Sequence, residues 1–287
     1  TSGDGTLNVE AGGAVSNTYG YIGRNAGSTG IATVTGVGST WTNSAELYGD
    51  LYVGRSGDGT LNVEAGGAVS NTIGYIGYNP VSTGIATVTG AGSTWTNSGS
   101  LYVGSLGDGA LTIADSGLVT IGGAGDGVLY VAYLIGSTGT VNIGAASGDT
   151  AVAAGDLAAA TVAIRAVTGA LVLNHTDTDY AFDAAITGAG AVDVLAGTTT
   201  FSAISNYSGD TTITGGTLLV DGVITSNSYI SGTGTLGGTG YVGNTYVQSG
   251  GTLAPGNSIG TLSAEGLVEF ASGSNFDVEL DSAGNND

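Results

Sequence analysis

Near-verbatim repetition is what most restricts the fold of this chain. The run from Gly3 to Thr18 recurs almost letter for letter from Gly57 to Thr72, and Ser28 to Gly36 recurs as Ser82 to Gly90. A fixed period of tens of residues belongs to a solenoid, in which each unit buries its apolar face only against its neighbours. The 54-residue period resolves into two related units, because Gly12 to Thr18 aligns with Gly38 to Ser44, and the same pattern returns at Gly66 to Thr72 and Gly92 to Ser98. Asparagines at 17, 43, 71 and 97 set the unit at 26 to 28 residues. The second unit carries an insertion, Glu46-Leu47-Tyr48-Gly49, ahead of Tyr52-Val53-Gly54.

Each unit contains three short runs of alternating polarity. Leu7-Asn8-Val9-Glu10, Ala32-Thr33-Val34-Thr35 and Leu51-Tyr52-Val53 place apolar side chains on one face and polar ones on the other. Glycine-rich breaks such as Gly57-Asp58-Gly59 end the runs, which makes each a half-buried strand between turns. Only an alanine-rich stretch from Asp156 to Ala160 suggests a helical turn. Three strands per coil predict an all-β, right-handed parallel β-helix (solenoid). Some 11 to 12 coils at about 4.8 Å each give a rod on the order of 55 Å long. The coils are regular over 1–165 and less regular over 166–287.

Composition narrows the function. Three basic residues face 23 acidic ones, for a net charge of −20, and such a chain repels nucleic-acid phosphates and anionic lipid. No nucleic-acid partner and no direct membrane insertion are expected. Charged residues are only 9% of the chain, yet 41% are hydrophobic, which favours a packed core over disorder. Without cysteine there is no disulfide framework and no thiolate metal site. Thr1 enters partway through a repeat, so the chain reads as a piece of a longer protein.

Asn17, Asn43, Asn71 and Asn97 recur once per coil and read as a structural amide ladder, each side chain bonding to the next along the rod. The ladder stops after Asn97, where Ile121 takes the equivalent place. Trp41 and Trp95 occupy the slot of Val15 and Val69, so they belong to the core. Tyr52 and Tyr102 lie between two inward apolar residues and point outward. With Tyr21, Tyr75 and Tyr130 they form an aromatic stripe, a candidate contact surface offering rigid amphipathic area.

Farther on, Asn206 to Val220 and Gly250-Gly251-Thr252-Leu253-Ala254-Pro255-Gly256-Asn257-Ser258-Ile259-Gly260-Thr261-Leu262 resemble the strand repeats of Gram-negative autotransporter passengers, the surface proteins of type V secretion. The resemblance implies a secretion signal and a C-terminal outer-membrane barrel outside this stretch, and an extracellular, cell-surface location. It also implies that 166–287 carries passenger-associated strand repeats and the C-terminal end of the passenger. Phe270, Phe276, Val278 and Leu280 would continue the helix or begin its cap. The function it implies is an adhesin or self-association module whose partners are other copies of itself, or a host glycan or protein. Two other readings stand beside it: a structural stalk for an upstream head, and a carbohydrate-active β-helix using the cluster of Asn174, Asp177, Asp179 and Asp183, whose aspartates would supply paired carboxylates.

No catalytic, cofactor or metal site is expected. His175 is the only histidine, and Asp115-Ser116-Gly117 lacks the flanking signature of a serine-protease passenger. Gly122 to Tyr130 resembles a calcium-binding β-roll, but Asp126 falls one place early and the motif is not tandem.

Overall fold

The computed structural model describes residues 3–44, 49–257 and 259–279. Residues 46–48 of the insertion and Leu280 lie outside them. Every pairing between named strands is parallel, and strands of successive coils stack in register. Among the described residues one sheet of twelve strands runs the whole length, from Gly5–Val9 to Val268–Phe270. Two further sheets complete the first half. One has six strands, from Ala14–Asn17 to Asp156–Ala158, and the other has seven, from Gly20–Ile22 to Ala185–Gly188. In the second half they give way to a six-stranded sheet beginning at Tyr180–Phe182 and a four-stranded sheet beginning at Ile204–Ser205. The architecture is a parallel β-helix. The stretch near Asp156 expected as a helical turn is a strand instead, because Leu118 and Val119 of the coil below offer open backbone partners to Asp156 and Leu157.

Alternation explains the core. Val9, Val34, Val63, Val88, Ile113 and Ile143 stand in register on the long sheet, followed by Leu173, Val194, Ile213, Ile230 and Val247. All are buried. Each such side chain contributes about 1.5–3 kcal/mol of burial, so this aliphatic column alone ties the rod together from end to end. Phe270 and Phe276 extend the stack as a last coil, pairing with Val247 and Leu253, while their rings remain about half exposed.

A second column is glycine. Gly5, Gly30, Gly59, Gly84, Gly109, Gly139 and Gly169 are in register. A Cβ on Gly84 would lie 2.3 Å from both the Gly77 nitrogen and the Val53 oxygen. Gly77 turns the chain with φ near +70°, so two backbones meet where no side chain fits. This contact sets where each coil joins the long sheet.

Coil size changes along the rod. Gly84 pairs with Gly109 and Gly109 with Gly139, turns of 25 and 30 residues. Beyond Gly169 the turns shorten: Thr211 pairs with Ser228 and Ser228 with Thr245, 17 residues each.

The 54-residue period, twice the coil length, has a packing cause. Trp41 stands between Val15 and Val69 in register, and Trp95 between Val69 and Val119. On the neighbouring sheet Gly20 pairs with Leu51, and Gly74 with Leu51 and Leu101. A Cβ on Gly20 would meet Leu51 at 2.6 Å and the Trp41 ring at 2.9 Å. Coils with valine and glycine leave space, and coils with tryptophan and leucine fill it, which keeps the interior close-packed.

Candidate contact surface

The tyrosine stripe follows from strand pattern. Gly20–Ile22, Leu51–Val53, Gly74–Ile76 and Leu101–Val103 each bury their outer residues and turn the middle one out. Tyr21, Tyr52, Tyr75, Tyr102 and Tyr130 are therefore in register. Their rings form one stack, with successive centroids 5.1, 4.9, 5.0 and 4.9 Å apart and planes within 15° of parallel. Such pairs contribute about 0.5–1.5 kcal/mol each beyond burial.

Three further groups join the stripe that the strand pattern alone did not single out. Tyr78 straddles Tyr52 and Tyr75 edge-on, with centroids at 5.0 and 4.9 Å. Tyr133 does the same to Tyr102 and Tyr130. All three arginines of the chain gather here as well. Arg24 and Arg55 lie 5.0 and 5.4 Å from the Tyr21 centroid, and Arg165 lies 5.5 Å from that of Tyr133. Cation–π contact of this exposed kind is worth about 0.5–1 kcal/mol. Arg24, Arg55, Tyr78 and Tyr133 each follow a residue of positive φ (Gly23, Gly54, Gly77 and Ala132). That shared offset is the sequence signal that would have found them.

Stacking decides what the stripe offers. Each inner ring has both faces covered by neighbours and one edge met by Tyr78 or Tyr133, so the hydroxyl and the remaining edge are what it can offer a partner. Burial, with Asp50 nearby, raises the Tyr52 hydroxyl pKa and pushes that of Tyr75 up to about 12. These two phenols stay neutral through the physiological range, and the stripe offers hydroxyl hydrogen bonds along a flat aromatic edge.

The adjoining tryptophan face is free of charge over five coils. Its strands Ala14–Asn17, Thr40–Asn43, Ala68–Asn71, Thr94–Asn97 and Leu118–Ile121 contain no ionisable residue. Ser16, Thr42, Ser70, Thr96 and Thr120 form an outward hydroxyl row in register.

Behind that face the asparagines do not run as one ladder. Asn17 Nδ2 donates to Asn43 Oδ1 at 2.5 Å, and Asn71 Nδ2 to Asn97 Oδ1 at 2.6 Å. Asn43 Nδ2 finds no acceptor. Asn71 Oδ1 accepts instead from Trp95 Nε1 at 2.6 Å, as Asn17 Oδ1 does from Trp41 Nε1 at 2.7 Å. The result is two amide–amide–indole triads, one per 54-residue repeat. Asn97 stands opposite Ile121.

In the acidic stretch of the second half, two carboxyl groups and the Asn174 amide are engaged by neighbouring coils. Asp177 Oδ2 accepts the Ala154 amide at 2.6 Å, Asp183 Oδ1 accepts the Ser202 hydroxyl at 2.7 Å, and Asn174 Nδ2 donates to the Ala146 and Asp149 carbonyls. Asp177 and Asp179 line a shallow cleft with Asp156 and Tyr180, and no basic residue lines it. Among the described residues no cluster of three or more potential ligands could hold a metal ion. Among the described residues no helix is long and apolar enough to cross a membrane.

His175 does meet a hydroxyl and a carboxylate: its Nε2 lies 2.7 Å from Thr199 Oγ1, and its Nδ1 is 3.8 Å from Asp177 Oδ2. Both His175 and Thr199 are wholly buried. A substrate cannot reach that hydroxyl, so the group is a polar joint where the coils change size. Burial lowers the His175 pKa, against the weaker pull of Asp177. The unfolded chain therefore binds the proton more readily, and stability is expected to fall as pH drops below about 6.5, by at most about 1.4 kcal/mol per pH unit. Urea midpoints measured between neutral and mildly acidic pH check this. The slope is expected to flatten in His175→Gln, and an unchanged slope would assign it to other groups.

No protein-family model matches the chain. In sequence it is similar to the uncharacterized lipoprotein YdeK of Escherichia coli K12, 37% identical over 177 residues, 59% of this chain and 13% of YdeK. It is also similar to the adhesin BmaC autotransporter of Brucella suis biovar 1, 35% identical over 192 residues, 63% of this chain and 5% of BmaC. The chain thus spans a small part of the length of either relative. The glycosylated TibA55-350 fragment aligns over 99% of both chains at 17% identity, but with a TM-score of 0.32 the superposition is too loose to inform this rod. Taken with the stacked repeats, the shared sequence makes this chain a parallel β-helix homologous to an autotransporter adhesin passenger.

Proposed function

We propose that this rod is the surface-displayed part of a Gram-negative autotransporter adhesin, and that it holds other copies of itself or a host-surface molecule through many weak, repeated contacts. The homology to an autotransporter adhesin supports the class. The observation that carries the mechanism is the charge-free hydroxyl face beside the tyrosine stripe. In a chain of net charge −20 it is the flank along which two rods approach with least repulsion. Repetition at about 4.8 Å lets contacts too weak to hold singly add through effective concentration.

The test is sedimentation and light scattering across a salt series. Association is expected to strengthen as salt rises to about 0.15 M, where the Debye length falls to roughly 8 Å and acidic repulsion is screened. Thr42→Asp with Thr96→Asp places like charges on the neutral face and is expected to abolish association. Tyr52→Ser with Tyr102→Ser is expected to weaken it with the fold intact. A rod that stays monomeric at every salt, while the longer protein still clumps cells, would make this stretch a stalk.

A further inference from the structure

The chain holds fourteen tyrosines but neither cysteine nor methionine. Both tryptophans and the histidine are buried. Sulfur side chains ordinarily intercept oxidants first, and here none exists. The outward side chains that give up an electron most readily are the phenols of the stacked ladder. We propose that this ladder is an oxidative modification site, at which tyrosines of successive coils couple to dityrosine and lock the turns of the rod together covalently.

The reaction needs a one-electron oxidant, and the class named here is a haem peroxidase acting with hydrogen peroxide. Each phenol loses one electron and its hydroxyl proton. The two radicals join through ring carbons adjacent to the oxygen-bearing carbon, forming one C–C bond. The two ring hydrogens at those carbons then move to the oxygens. Two phenols and one hydrogen peroxide give one dityrosine and two waters.

The geometry favours coupling between neighbouring rungs. Ring centroids 4.9 to 5.1 Å apart are only slightly farther than in the coupled product, so the rings need to turn about their side-chain bonds while the strand register is kept. Holding both partners at contact replaces a chance encounter with an intramolecular step. The stack covers the ring faces, and Tyr78 or Tyr133 covers one edge of Tyr52, Tyr75, Tyr102 and Tyr130, which leaves the remaining edge, with its ring carbon beside the hydroxyl, for coupling. A second stack, Tyr229 with Tyr246 at 4.9 Å and 10°, predicts the same chemistry in the slender half. Tyr241 is a built-in comparison: it is half exposed, but among the described residues no other ring stacks on it.

The test treats the dilute, folded chain with hydrogen peroxide and a haem peroxidase. Dityrosine emission, intact mass and cross-linked peptides are then read. Loss of two hydrogens per link at monomer mass is expected, with links mapping to Tyr21–Tyr52, Tyr52–Tyr75, Tyr75–Tyr102, Tyr102–Tyr130 and Tyr229–Tyr246, and with a raised Tm. Tyr75→Phe is expected to lose the two links that involve Tyr75 and keep the other three. If that variant misfolds, the wild-type map against a urea-unfolded control decides the matter. Mainly intermolecular products, the same pairs in urea, or linkage at Tyr241 as fast as in the ladder would each overturn the proposal.

Discussion

Gly84→Ala is expected to cost the rod about 3 kcal/mol, the upper range for forcing atoms into a filled site, whereas Gly5→Ala should cost almost nothing. Both glycines belong to one column of the long sheet. At Gly84 the new Cβ would stand 2.3 Å from two backbone atoms, and at Gly5 it would meet nothing within 4 Å. The obstacle at Gly84 is main chain from the turn of the previous coils, which has no rotamer to change. Denaturation midpoints at constant m-value measure the loss. Amide exchange should place it locally, because each coil of a solenoid leans only on its neighbours. Equal midpoints for the two variants would remove the glycine column as the element that sets coil closure.

Asn71→Leu is expected to be the most damaging of the asparagine substitutions, at about 2–6 kcal/mol. It strands two buried groups, the Trp95 indole N–H and the Asn97 carbonyl oxygen, each costing about 1–3 kcal/mol. Asn97→Leu strands only Asn71 Nδ2 and removes an amide N–H that already lacks an acceptor, so it should cost roughly half as much. Combining the two should cost less than their sum, as residues in one network do. Adding Trp95→Phe to Asn71→Leu should recover part of the loss, since the phenyl ring brings no unpaired donor. Thr33→Leu, on the outer face, should stay within about 0.5 kcal/mol. A uniform ladder would instead make Asn43, Asn71 and Asn97 equivalent, and equal midpoints for Asn71→Leu and Asn97→Leu would restore it.

The coil, its strands and the outward tyrosines are legible in the chain because each rests on strict alternation. Leu51-Tyr52-Val53 between glycines has one sensible orientation, and its copies inherit it. The asparagine pairing was less legible. Identical residues at equal spacing suggest an unbroken series, but the Trp95 indole competes for the Asn71 oxygen, and that competition depends on which coil carries the large ring. Tyr78, Tyr133, Arg24 and Arg55 lie just past a left-handed residue, where period-two reasoning stops and only the column across coils reveals their neighbours. In the second half, strands as short as Ile204–Ser205 leave too few residues for alternation to register. The change of coil size is nonetheless written in the chain: Thr217, Thr235 and Thr252 pair in register, and their close spacing marks the smaller turn.

That smaller turn has a mechanical meaning. Every coil advances the rod by the same strand spacing, about 4.8 Å, whether it uses 30 residues or 17. The slender half therefore gains more reach per amino acid, but with less material around its axis. Resistance of a beam to flexing rises steeply with its width, so a sideways pull would curve the portion beyond Gly169 first. The broad portion bearing the aromatic stripe and the hydroxyl face would stay straight, swinging as a stiff paddle on a springier shaft.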